Sequence, residues 1–134
     1  MTSMFTPDTE WLTLEWHQAT VAAGRLCMQR CSDCGRWRHP PRRYCAECFS
    51  SESSFVAVAG SGTVESYAVS YRSLDPAWQE RAPYATLVVE LDEGPRVLAV
   101  TELQPSEVAI GRRVDLRIDA RSDDFAVLWA DPAT

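Results

Sequence analysis

The sequence predicts a mainly β protein: an N-terminal helix, a rubredoxin-like zinc ribbon and a five-stranded barrel of the OB type. Three observations carry this. Four cysteines stand in two pairs, Cys31-x2-Cys34 and Cys45-x2-Cys48, ten residues apart. Apolar residues before residue 24 recur at helical spacing, whereas those after residue 54 alternate as in strands. Turn residues then punctuate the second half at hairpin spacing. The expected units are a docking helix at 1–24, the ribbon at 25–54 and the barrel at 55–134.

Thr6-Pro7-Asp8 supplies a hydroxyl cap and a proline at the first helical position. Asp8 and Glu10 follow near the positive end of the helix dipole. The helix is expected from Pro7 to Ala23, stopped by Gly24. Leu12, Trp16, Ala19 and Ala23 share one face, broadened by Trp11 and Val21. So aromatic a helix needs a surface to cover it, either its own ribbon or a partner subunit. Trp11 and Trp16 are the expected partner anchors.

A two-residue spacer lets two thiolates turn onto one ion, and two such knuckles close a tetrahedral sulfur site. Cys31, Cys34, Cys45 and Cys48 are the expected ligands. Four sulfurs leave no open position, so the site is structural. Zinc is the first choice and iron the competitor, since both suit a tetrahedron of sulfur. Cys27 fits neither knuckle and reads as a buried strand thiol. Residues 25–30 form a strand into the first knuckle, Arg36 to His39 returns from it, and residues 49–54 read as a polar hinge.

Beyond the hinge, Phe55–Ala59 and Thr63–Tyr71 flank Gly60-Ser61-Gly62, as in one long bent strand. Tyr84–Leu91 and Arg96–Leu103 are joined by Asp92-Glu93-Gly94-Pro95, a hairpin signal, and Val114–Ile118 pairs with Phe125–Ala130. Five strands with a bent first member fit an OB barrel. The loop from Arg72 to Pro83 carries Leu74, Pro76 and Trp78, and Trp78 is expected either near a substrate or folded back on the barrel.

Composition excludes several chemistries. The 134 residues hold thirteen arginines and no lysine, so no Schiff base or phosphate-loop lysine is available. The formal net charge is −6, and the barrel half holds seven arginines against thirteen acids, which disfavours nucleic acid. By contrast Arg25, Arg30, Arg36, Arg38, Arg42 and Arg43 cluster on the ribbon, ready for phosphate or an acidic partner. His17 reads as a surface or packing residue, and His39 lies between filled knuckles. No nucleophile elbow, metalloprotease pair or phosphate loop is present. No apolar run reaches membrane length and no signal peptide is seen, so the cytoplasm is expected.

Gly24-Arg25-Leu26, Gln29-Arg30-Cys31, Cys34-Gly35, Pro40-Pro41-Arg42 and Cys45-Ala46-Glu47-Cys48 form a specific pattern. It continues with Gly60-Ser61-Gly62, Pro83-Tyr84, Gly94-Pro95-Arg96-Val97 and Ile110-Gly111. In these residues the chain resembles the acyl-CoA-associated zinc-ribbon/OB-fold family. The resemblance implies an accessory subunit of a thiolase-like protein, in a heterotetramer or larger assembly, with catalysis and acyl-CoA on the partner. It further implies retro-aldol cleavage of a steroid side-chain or similar acyl-CoA. A thiolase or acyltransferase complex is the alternative, and a single-stranded nucleic-acid module the reading from fold alone. Ala46 stands where many members have Pro, a change that leaves the ligands intact.

Overall fold

The computed structural model describes residues 11–133. The helix start expected at Thr6-Pro7-Asp8 lies outside them. Helix α1 runs Trp11–Ala23 and leads into a ribbon sheet of β1 (Cys27–Cys31), β2 (Trp37–Arg38) and β3 (Ser53–Ala57), ordered β2-β1-β3. Five further strands follow: β4 (Ser61–Ser70), β5 (Tyr84–Leu91), β6 (Arg96–Val100), β7 (Arg113–Ser122) and β8 (Phe125–Pro132). They close a barrel in the order β4-β5-β6-β8-β7. Helix α2, Pro76–Gln79, interrupts the connection from β4 to β5.

The strand expected at Phe55–Ala59 is not the first half of a long barrel strand. It begins at Ser53 and pairs antiparallel with β1, from Cys31↔Ser53 to Cys27↔Ala57. The chain leaves the ribbon after Ala57 and enters the barrel only at Ser61. Pairing with β1 satisfies the backbone of 53–57, so the segment read as a polar hinge ends in a ladder. Gly62 is required here: a Cβ on it would stand 2.5 Å from Glu90 O, where β4 crosses β5.

Ribbon and barrel share one core. Leu26 and Met28 from the ribbon side join Val64, Leu87, Val89, Val97, Val114 and Leu128 from the barrel. Met28, Leu87, Val89 and Val114 are fully buried. This continuity makes the ribbon a wing of the barrel rather than a separate bead.

The helix packs on its own chain, and its inward stripe is more polar than its apolar spacing suggests. His17 and Thr20 are its buried residues, while Ala23 is exposed. The reason is hydrogen bonding. Thr20 Oγ1 accepts from Cys27 N at 3.2 Å, Trp16 Nε1 donates to Cys27 O at 2.6 Å, and His17 Nδ1 accepts from Ala126 N at 3.2 Å. The helix thus satisfies main-chain groups of β1 and β8 that no neighbouring strand reaches.

Candidate metal centre and the surfaces around it

The two cysteine knuckles have the same local build. Gly35 N donates to Cys31 O at 3.0 Å, and Phe49 N donates to Cys45 O at 2.9 Å. Cys31 N donates to Arg36 O and Cys45 N to Ser50 O, both at 2.9 Å. In each, the residue after the second cysteine takes a left-handed backbone, φ +79° at Gly35 and φ +62° at Phe49. Glycine holds this conformation without penalty. Phenylalanine does not, so the second knuckle keeps its shape against a backbone cost.

These turns bring four sulfurs together. Cys31 and Cys48 Sγ lie 3.6 Å apart, Cys34 and Cys45 Sγ 3.5 Å apart, and all four fall within 4.8 Å of one another. A tetrahedron with metal–sulfur bonds of about 2.3 Å has edges of about 3.8 Å, so the cluster fits one zinc ion. Amides point at the sulfurs as well: Cys34 N lies 3.5 Å from Cys31 Sγ and Glu47 N lies 3.4 Å from Cys45 Sγ.

The backbone bond from Cys34 is the largest cause that lowers the Cys31 thiol to about 6, and the bond from Cys48 likewise lowers Cys45. Cys48 is pushed up to about 12: a backbone bond from Ser50 pulls it down, but burial and the neighbouring thiols outweigh that. A dication at the centre favours the thiolate in all four. Cys31 and Cys45 are buried and Cys34 and Cys48 exposed, so the centre sits half in the ribbon and half at its surface. Its chemistry is structural: it ties the two turns of a sheet too small to fold on apolar burial alone.

Cys27 is buried, and burial pushes its thiol up despite Arg25 and Thr20 nearby. It is a packed thiol beneath the helix.

The three tryptophans singled out from sequence separate. Trp11 is 78% exposed at the start of α1 and lines a cleft with Leu12, Pro41, Arg43 and Tyr44. Trp16 turns inward, packs on the core, and meets His17 at 4.8 Å and His39 at 4.6 Å between ring centroids. Trp78 folds back on the barrel, with ring centroids 5.2 Å from Tyr84 and 6.1 Å from Trp129. Arg81 covers the Trp129 ring at 4.9 Å. Leu74, 99% exposed, stands out from the Arg72–Pro83 loop as a bare apolar side chain.

Sequence reasoning missed one apolar cleft. It holds about 780 Å³ between α1, the His39-Pro40 corner and the outer face of β5, β6 and β8, with Trp16, Trp78, Leu98 and Phe125 in its walls. It opens because β6 and β8 run parallel and meet in register only at Val100↔Trp129. Outward apolar residues on β5 and β6 (Val88, Leu98, Val100) were the available signal.

The described helices include none long and apolar enough to cross a membrane. Comparison with known proteins agrees with this architecture. The family model of the ChsH2 rubredoxin-like zinc ribbon domain matches residues 21–54, and that of the ChsH2 C-terminal OB-fold domain matches residues 55–119. The border between them falls inside β3. A DUF35 domain-containing scaffold protein of Methanocaldococcus jannaschii is 30% identical over 112 residues, 78% of this chain and 79% of that protein. A probable enoyl-CoA hydratase alpha subunit of Thermomonospora curvata is 39% identical over 102 residues, 75% of this chain; the match spans 31% of that protein. Among solved structures, a chain of the Ltp2-ChsH2(DUF35) aldolase superposes with TM-score 0.84 at 31% identity, covering 96% of this chain and 100% of that one. A DUF35 protein from Sulfolobus solfataricus, at TM-score 0.56 and 19% identity over 87% of this chain and 84% of its own, shares the fold. With ribbon and barrel matched in order across residues 21–119, the chain belongs to the DUF35 family of ChsH2-type zinc-ribbon and OB-fold proteins.

Proposed function

We propose that the chain is a non-catalytic accessory subunit of a thiolase-superfamily aldolase, acting on a steroid side-chain or similar acyl-CoA in the cytoplasm. The observation that carries this reading is the near end-to-end likeness to a chain of the Ltp2-ChsH2(DUF35) aldolase, at TM-score 0.84 and 31% identity. The scaffold names of archaeal relatives point the same way. The residues are consistent with it. The metal centre is closed, Cys27 is buried, and His17 and His39 are packed against Trp16. Retro-aldol cleavage needs a base for the hydroxyl proton and a group that stabilises the thioester enolate. In this reading the partner supplies both.

In the complex, which we take to be a heterotetramer or larger, Trp11 anchors the partner. It is large, apolar and exposed, the side-chain type that dominates binding hot spots. Trp16 supports the same surface from beneath by fixing α1 to β1. The apolar cleft that Trp78 helps to wall is placed near the partner's acyl site. A subunit of a thiolase or acyltransferase complex is the second reading, since a closed metal site serves any of these. The match to an enoyl-CoA hydratase subunit extends it to hydratase assemblies. The deciding experiment is affinity purification of the tagged chain from its own host, with mass spectrometry of what elutes. A thiolase-like protein at fixed stoichiometry supports the reading, and recovery of the chain alone at native expression counts against it.

A further inference from the structure

Strand β4 loses one of its two neighbours partway along. It pairs with β5 from Gly62↔Leu91 to Ser70↔Tyr84, but with β7 only at Ser61↔Asp115, Gly62↔Val114 and Thr63↔Arg113. The last main-chain bonds on that side run from Val64 N to Arg112 O at 2.9 Å and from Gly111 N to Val64 O at 2.8 Å. A bulge between Val64 and Ser66 then bends β4 where it parts from β7. Among the described residues, 66–70 are laddered to β5 alone, so one edge of this stretch is open.

The barrel core is poorly covered along this edge. Tyr67 stands opposite Leu87 and Val69 opposite Ala85. Directly paired residues share a face of the sheet, and Leu87 and Ala85 are fully buried, so Tyr67 and Val69 face inward. Yet Tyr67 is 41% exposed and Val69 only half-buried. What would cover them is the side chains of one more strand. Open edges are ordinarily guarded by charge or proline. Residues 66–71, Ser-Tyr-Ala-Val-Ser-Tyr, carry neither. Past the end of the strand, Tyr71 and Leu74 add bare apolar surface, 76% and 99% exposed.

The order of these residues selects the occupant. Laid antiparallel against itself about Ala68, the segment sets Ala68 on Ala68, Ser66 on Ser70 and Tyr67 on Val69. Each match is favourable: small on small at the axis, hydroxyl on hydroxyl, and an aromatic ring on a β-branched side chain. Glu65, paired with Arg96, falls opposite Tyr71, so no like charges meet. A twofold contact requires this self-complementarity, in which one residue meets a second and the second meets the first. We propose that two copies of the chain pair antiparallel through the open edge of β4, on a twofold axis at Ala68. Tyr67 of each copy then covers Val69 of the other and closes the core at this side of the barrel. Stable interfaces bury about 1,200–2,000 Å² in total, and Tyr71 and Leu74 extend the contact beyond the strand pair toward that size. The contact uses this chain's residues alone, so it is independent of the proposed thiolase-like partner.

The test is sedimentation velocity of the zinc-loaded full chain over a concentration series, for wild type, Ala68→Glu, Ala68→Arg and an equal mixture of the two variants. Wild type is expected at twice its 15.0 kDa by about 100 μM. Ala68 is exposed and stands opposite Thr86, on the face away from the core, so both variants should fold, which circular dichroism checks. Each variant alone sets like charges on the axis and should weaken the dimer at least about tenfold. The mixture sets opposite charges there and should restore it, a rescue specific to pairing at Ala68. Hydrogen exchange of wild type should show residues 66–70 gaining protection as concentration rises. A wild-type chain still monomeric at about 100 μM, an unchanged dimer in Ala68→Glu, or no rescue in the mixture would each overturn the proposal. So would protection of residues 66–70 that appears only on adding a thiolase-like protein, which would give the edge to that partner.

Discussion

Gln29 grips the backbone of Arg42 from both sides: its Nε2 donates to Arg42 O at 2.8 Å, and Arg42 N donates to its Oε1 at 2.7 Å. The same Nε2 reaches Ser53 Oγ at 3.0 Å. One buried amide, 1% exposed, therefore joins β1, the loop before the second knuckle and β3. It holds the Pro41–Tyr44 segment at the height where Cys45 meets the other sulfurs.

Gln29→Leu keeps the volume and removes these bonds. It leaves the Arg42 amide without its partner, while Arg42 O keeps the bonds from Arg38, at a cost of roughly 1–3 kcal/mol. Thermal unfolding should show that loss, and a chelator should strip zinc faster than from wild type. Wild-type stability and metal loss would mean that the loop is held by the metal alone.

Much of this architecture was legible in the residues. The two cysteine pairs gave the ligands, and the β5–β6 and β7–β8 hairpins followed from alternation and turns. Ser53–Ala57 was misplaced because its polar composition reads as linker, while its ladder partner β1 lies more than twenty residues earlier. Local pattern carries no trace of such pairing. Gln29 was visible only as part of a family pattern, since a lone polar residue in an apolar strand does not announce its three bonds. The inward face of α1 was misread for a related reason: His17 and Thr20 are buried to serve backbone groups of β1 and β8, which helical periodicity cannot foresee.

Replacing Cys31 with Ser removes one ligand of a closed site, and metal binding supplies much of a small ribbon's folding energy. Elemental analysis should find less than one zinc per chain, and hydrogen exchange should quicken across residues 25–48. The barrel strands should keep most of their protection, because β4 to β8 close without the ribbon. Uniform loss of protection would show that the shared core makes ribbon and barrel one cooperative unit.

His39 gives the fold an acid sensitivity with a defined sign. Burial first, and the neighbouring His17 second, hold its pKa down to about 4. In the unfolded chain it titrates near 6.5. Between those values the unfolded state binds a proton that the folded state does not, so this contribution is complete above about pH 6.5 and is lost as pH falls toward about 4. The size is on the order of 3 kcal/mol. Acid also weakens metal binding, so the measurement is the difference in unfolding free energy between wild type and His39→Phe across that range. Parallel curves would show that His39 is not the group responsible.

Trp11 and Trp16 should behave oppositely. Trp11→Ala changes an exposed side chain and should leave stability within about 0.5 kcal/mol, while weakening the partner complex by about 2 kcal/mol. Trp16→Ala removes core packing and the bond to Cys27 O, and should destabilise the chain by about 3–5 kcal/mol. Unfolding curves of the free variants, beside affinities from surface plasmon resonance, separate the two roles. If Trp11→Ala binds the partner normally, α1 is not the docking element.

The central claim is that this chain assists catalysis without performing it. The direct measurement is turnover of a β-hydroxyacyl-CoA, such as a steroid side-chain thioester, by the zinc-loaded chain alone, by the thiolase-like partner alone and by the two mixed. The account predicts no cleavage by this chain, weak or unstable activity of the partner, and full activity of the mixture. Cleavage by this chain alone that disappears in Cys27→Ala would contradict it, because the buried thiol beneath α1 would then be a nucleophile.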